Sequence, residues 1–131
     1  MGKLLVVEDE DLVRQCVTAL LTSFGHEVLE AKDGVEALLT YQVLRAEITL
    51  VLMDINMPRM DGIAVARVLK CTDPNLKIIL ISGHTEQIPS GLGVTAFLPK
   101  PFLGSELAAV VQRVLSEAPD PRALAAGPSS S

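Results

Sequence analysis

The chain has no tryptophan, one tyrosine and three phenylalanines among its 131 residues. The aromatic platforms on which bases stack are therefore scarce. A formal net charge of −5 argues in the same direction, because it removes the basic surface that wraps nucleic acid. Two cysteines, Cys16 and Cys71, are too few and too far apart for a disulfide framework. Cys16 falls on the apolar side of a helical pattern, so both read as reduced thiols in a cytoplasmic setting. No apolar run approaches the ~20 residues of a membrane helix, and no signal peptide precedes the first apolar run. What is there is ordinary globular material, 49% hydrophobic and 21% charged, at a length that suits one domain with a real core.

Apolar runs of strand length alternate with helical periods. "KLLVV" (3 to 7) is continuous, as expected of a strand covered on both faces. Leu12, Val13, Cys16, Val17, Leu20, Leu21 and Phe24 then recur at helical spacing, and Gly25 supplies the stop. "EVLEA" (27 to 31) alternates and reads as a more peripheral strand. Asp33 and Glu36 form a candidate capping box for a helix running to about Leu44. "ITLVLM" is the third strand, followed by a helix from Gly62 to Lys70 that stops at the turn signal "TDPN". "LKIILIS" (76 to 82) and "AFLPK" (96 to 100) are the fourth and fifth strands. The last helix covers about Gly104 to Leu115, with Leu107, Val110, Val111, Val114 and Leu115 as its buried stripe. Residues 1–116 thus form the folded domain. Residues 117–131, rich in Ala, Pro, Gly and Ser, read as a loose tail.

Five strands alternating with helices predict an α/β fold: a doubly wound parallel sheet with right-handed crossovers. Such sheets bind at the carboxyl ends of their strands, where strand order reverses. In the order 2-1-3-4-5, Glu8 and Asp9 follow strand one and Asp54 ends strand three, beside it. Ser82 ends strand four and Lys100 ends strand five, on the same edge. Clustered carboxylates repel unless protonated or neutralised by a cation. Oxygen ligands on short loops suit a hard cation, Mg²⁺ or else Mn²⁺. Carboxylates, a divalent cation, a Lys and a hydroxyl are together the parts that transfer a phosphoryl group onto an aspartate. Each residue alone has a plainer reading. Asp54 would be a cap or turn former, "EDED" a solvated loop with Asp11 as helix cap, Ser82-Gly83 a turn, Phe97 core, and Lys100 solvated. Asp61 and Gly62 read as structural, a turn and a helix entry. Convergence on one edge is what favours function for Glu8, Asp9, Asp54, Ser82 and Lys100.

The stretches "VVEDE", "DGVEAL", "LMDINMPRMDG", "ILISG" and "FLPKPF", in that order, make residues 3 to 116 resemble the response-regulator receiver domains of two-component signalling. The resemblance implies a flavodoxin-like fold in which Asp54 is the phosphoacceptor. It implies that Asp9 and Asp54 ligate Mg²⁺ directly, Glu8 through water, and Asn56 through its backbone carbonyl. Ser82 becomes the hydroxyl switch residue, Phe97 the switch aromatic and Lys100 the phosphate-binding lysine, followed by Pro101 through a cis bond. The implied donor is a histidine kinase or histidine phosphotransfer domain. Such a protein catalyses only its own phosphorylation and dephosphorylation, with no conventional substrate. A homodimer through the strand 4, strand 5 and last-helix face is one assembly the resemblance allows; nucleic acid and membrane insertion are not expected.

Three features depart from the common pattern: Ser82 where many receivers have Thr, Phe97 where many have Tyr, and only 18 positions from Ser82 to Lys100. Pro89, Gly91 and Gly93 sit where a fourth helix would run, so that helix is expected to be short or irregular. The shortening and "FLPKPF" look most like receivers appended to hybrid histidine kinases, and the two ends of the chain would fit an excised domain. A phosphatase of the haloacid-dehalogenase type would need a second Asp where this chain has Asn56. A flavodoxin-like carrier would need a Ser/Thr-rich phosphate loop where this one is acidic. A phosphorylation-independent interaction module is the remaining alternative.

Overall fold

A computed structural model describes residues 2–57, 61–83 and 91–117. In chain order its elements are β1 (Lys3–Val7), α1 (Asp11–Ser23), β2 (Val28–Ala31), α2 (Gly34–Leu44), β3 (Ile48–Asp54), α3 (Gly62–Thr72), β4 (Lys77–Ser82), β5 (Ala96–Pro99) and α4 (Gly104–Ser116). All strand pairs are parallel, in the order β2-β1-β3-β4-β5, so the expected doubly wound sheet is present.

The central strands read as unbroken apolar runs because both of their faces are covered. Along β3, Leu50 and Leu52 enter the core beneath α1 and α4, with Val17, Leu21, Leu107, Val111 and Val114. Val51 and Met53 point the other way, into the core beneath α2 and α3, with Ala37, Tyr41, Val65, Ala66 and Leu69. One strand thus feeds two cores with alternate residues. Register then aligns the strand ends: Val7 lies opposite Met53, Asp54 opposite Ile81, and Ser82 opposite Pro99.

Helix entries follow from local chemistry. Asp33 caps α2 by accepting from the Glu36 amide at 2.8 Å, while Glu36 Oε1 accepts from the Lys32 amide at 2.8 Å, one residue earlier than a standard box. Asp61 caps α3 by accepting from the Ala64 amide at 2.8 Å. Asp11 does not cap α1. Glu10 holds that position without a side-chain bond, and the Asp11 carboxylate accepts instead from Arg14 Nη2 at 2.6 Å. A charged guanidinium is the stronger partner.

The α1 pattern also needs correcting. Val13, Val17, Leu20 and Leu21 face the sheet, but Cys16 is exposed, Leu12 is 77% exposed and Phe24 55%. Successive helical residues turn by about 100°, so Leu12 and Cys16 lie one row away from the buried stripe. Cys71 is exposed as well. Gly91 and Gly93 both have positive φ, at 82° and 83°, and no helix forms across 91–95. The rest of the expected short fourth helix, residues 84–90, and the tail from 118 lie outside the described residues. Among the described residues no helix is long and apolar enough to cross a membrane.

Candidate functional site

Parallel strands end on the same edge of a sheet, and here four of them deliver polar side chains to it. Glu8 and Asp9 follow β1, Asp54 is the last residue of β3, Ser82 the last of β4, and Lys100 follows β5. One carboxylate oxygen from each of Glu8, Asp9 and Asp54 lies within 4.8 Å of the other two. Lys100 Nζ donates to Asp54 Oδ2 at 2.9 Å and lies 3.5 Å from Glu8 Oε1. The Asn56 amide donates to Asp54 Oδ1 at 3.0 Å, which seats Asn56 beside the cluster. The Glu10 amide donates to Glu8 Oε2 at 3.1 Å. Lys100 is fixed from behind, where its own amide donates to the Ser82 carbonyl at 2.7 Å, and it is joined to Pro101 by a cis peptide.

Burial separates this edge from ordinary surface. Among the described residues, the buried polar or charged ones are Glu8, Asp33, Asp54 and Ser82. Asp33 has its explanation in the α2 cap. The other three line one edge, two of them as carboxylates that would be costly to bury without compensation. Burial pushes Glu8 up to about 7, and the neighbouring charge of Asp54 adds to this; the Glu10 amide and Lys100 pull the other way. Burial alone would depress the Lys100 ammonium, but the hydrogen bond and charge of Asp54, joined by Glu8, outweigh it and its pKa is raised. The cluster is therefore short of positive charge. An all-oxygen donor set, with Glu8 and Asp54 buried and Asp9 partly open to water, fits a hard divalent cation that retains part of its hydration.

Other expected residues have different surroundings. Phe97 does not join the cluster; it is half-buried opposite Leu80 and packs on the α2/α3-side core. Gly62 is structural in a specific sense. A Cβ there would stand 2.5 Å from the Asp54 carbonyl oxygen and 2.8 Å from the Ile55 Cα, so only glycine lets α3 begin this close to the strand end. One residue escaped the sequence reading. Arg14 Nη1 donates to the Glu8 carbonyl at 2.9 Å. Its signal was a single cation one turn after four consecutive acids.

A parallel sheet of this order, flanked by helices on both faces, defines the class of flavodoxin-like α/β domains. The family model described as "Response regulator receiver domain" matches residues 4–112, and the chain belongs to that family, a receiver domain of two-component signalling. It is 42% identical to the sensor kinase CckA of Brucella abortus over 86% of this chain and 12% of that protein. It is 36% identical to the response regulator MprA of Mycobacterium sp. (strain KMS) over 93% of this chain and 56% of that protein. The chain thus spans about an eighth of one relative and just over half of the other. Among solved structures, the receiver domain from the hybrid histidine kinase CckA superposes with a TM-score of 0.77 at 37% identity, covering 88% of this chain and all of that one.

Proposed function

We propose that this chain is a phosphoacceptor switch in which Asp54 receives a phosphoryl group from a phosphohistidine, with Mg²⁺ bound, and the β4/β5/α4 surface changes in response. The observation that carries the reading is the meeting of Asp54 with Glu8 and Asp9 within 4.8 Å and with Lys100 Nζ at 2.9 Å. The likeness to a sensor kinase supports a histidine kinase or histidine phosphotransfer domain as donor and a receiver of the hybrid-kinase type.

Glu8, Asp9, Asp54 and the Asn56 carbonyl would hold the cation, which when bound neutralises charge on the transferred group. A carboxylate oxygen of Asp54 attacks phosphorus as the P–N bond to the donor imidazole breaks. The electron pair stays on that nitrogen, which then takes a proton from water. The acyl phosphate carries about −1.5 to −2 where the carboxylate carried a single charge, so the strand end gains up to about one negative charge and three acceptor oxygens. Lys100 follows that charge from Asp54 Oδ2 onto a phosphoryl oxygen, and the Ser82 hydroxyl donates to another. Motion of Ser82 opens space behind β4, and Phe97, on β5 opposite Leu80 two residues before Ser82, is the side chain that fills it. Because Phe97 has no hydroxyl, the coupling is one of packing.

The test is intact-mass measurement after incubation with acetyl phosphate and Mg²⁺. Wild type should gain one phosphoryl group and Asp54→Asn none. Equal labelling of that variant would reassign the acceptor.

A further inference from the structure

We propose that Arg14 is a positioning residue for the acidic loop: its guanidinium grips the turn between β1 and α1 so that Glu8 and Asp9 converge with Asp54 on a divalent cation. This rests on the reading of that cluster as a cation site.

Arg14 is the fourth residue of α1 and its side chain is only 13% exposed. Its three nitrogens reach three different parts of the fold. Nη1 donates to the Glu8 carbonyl at 2.9 Å, Nη2 to Asp11 Oδ1 at 2.6 Å, and Nε to Glu30 Oε1 at 3.0 Å. The Arg14 amide also donates to the Glu10 carbonyl at 2.9 Å, and the Glu8 amide to the Ala31 carbonyl at 3.1 Å. The end of β1, the first turn of α1 and strand β2 are thus tied around one planar group. A lysine ammonium, a point charge, does not reproduce that fork.

The acceptors matter as much as the number of bonds. Each is either a main-chain carbonyl or a carboxylate outside the cluster, so Arg14 occupies no ligand oxygen of Glu8, Asp9 or Asp54. Lys100 does the opposite and sits on Asp54 Oδ2. The two cations therefore divide the work. Lys100 meets the cluster oxygens directly, where an incoming cation must share them. Arg14 offsets the repulsion of residues 8 to 11 and fixes the loop while leaving those oxygens available.

The test is calorimetric titration of the full chain with Mg²⁺, at a temperature where circular dichroism shows each variant folded. Outer partners of metal ligands cost about 10–100-fold in affinity when removed, so Arg14→Ala should weaken Mg²⁺ binding by about tenfold or more. Arg14→Lys, which restores the charge without the fork, should recover only a minor part. Arg113→Ala, an equal charge change on the outer face of α4, should bind as wild type does. Amide exchange of residues 8 to 11 should quicken in metal-free Arg14→Ala. If that variant does not fold, Arg14→Gln, which keeps one donor for the Glu8 carbonyl, takes its place. A merely structural arginine would lower the melting temperature and leave the Mg²⁺ affinity of the folded protein unchanged, and that result overturns the proposal. Full recovery in Arg14→Lys overturns it too, since charge alone would then suffice. A wild type that binds no Mg²⁺, or one matched by Asp9→Ala, overturns the cation reading itself and this inference with it.

Discussion

At the amino-terminal edge of the sheet, each charge is at least partly open to water and has a partner of its own. Lys3 Nζ lies 2.9 Å from Glu47 Oε1, with the side chains 30% and 48% exposed. Lys77 Nζ donates to the Glu117 carbonyl at 2.7 Å, and Asp73 accepts from the Tyr41 hydroxyl at 2.9 Å. At the carboxyl-terminal edge of the same strands, Glu8 and Asp54 are buried and share one lysine, with Asp9 alongside. The first arrangement is inexpensive because each charge keeps its water or its partner. The second accumulates like charge out of water, which a fold under pressure only for stability would avoid. The contrast teaches that the carboxyl edge concentrates negative charge in a way that fits a positive ligand, while the amino edge pairs its charges one by one.

The comparison can be broken by removing one cation from each edge. Deleting one partner of a fully buried ion pair costs about 3–5 kcal/mol, and Lys100 is partly open to water, so Lys100→Ala should cost about 2–3 kcal/mol in metal-free protein. Lys3→Ala should leave the denaturation midpoint unmoved. Urea melts of both variants decide the matter; equal losses would mean that the edges are energetically alike.

Titration sharpens the same contrast. Glu8 stands at about 7 in the folded protein against an ordinary 4.5, so it contributes nothing to the pH dependence below 4.5. As pH rises from there, the unfolded chain ionises first. Metal-free stability should therefore fall towards pH 7 and level off above it. The Lys100 ammonium and the water on the open side of the cluster screen the Glu8 charge, so the drop amounts to about 1–2 kcal/mol. Saturating Mg²⁺ should flatten the curve, because a cation takes the place of the proton. A metal-free curve that rises through this window, in wild type but not in Glu8→Gln, would contradict the assignment.

A smaller loss than either belongs to a hydrogen bond at the amino edge. Tyr41→Phe removes one hydrogen bond to Asp73 and should cost about 1 kcal/mol. Phosphoryl uptake by Asp54 should be unchanged, since the tyrosine lies at the far end of the sheet; a changed rate would show that the edges communicate.

The sheet was legible because short apolar runs rich in Val, Ile and Leu recur between helical periods, as buried parallel strands do, and the alternating β2 takes its place in that order. The site was legible for a related reason: "LVLMD" and "LLVVED" each break such a run with an acid, and parallel geometry forces both breaks onto one edge. Helix faces were harder to read. Along α1 the apolar residues fill two adjacent rows, and periodicity alone did not say that Val13 and Val17 would be covered while Leu12 and Cys16 stayed outside. Helix α2 is apolar nearly all round, leaving Val35, Leu39 and Val43 exposed. Asp11 was misread as a cap because a capping pattern does not register a competing guanidinium one turn away. The role of Arg14 was invisible because its chief acceptor is a carbonyl, which every residue has.

Gly62 has a mechanical consequence. With α3 seated where no Cβ fits, and the Ile55 amide bonded to the Ile81 carbonyl at 2.8 Å, the backbone under Asp54 is braced by a helix on one side and a strand on the other. A carboxylate mounted this way behaves as the fixed jaw of a vice. Charge placed on its tip does not push its own support away, so the displacement must appear in the opposing parts, among them the Lys100 ammonium. In Gly62→Ala the jaw itself would yield, and some of each input would be lost as recoil in β3 before reaching another side chain.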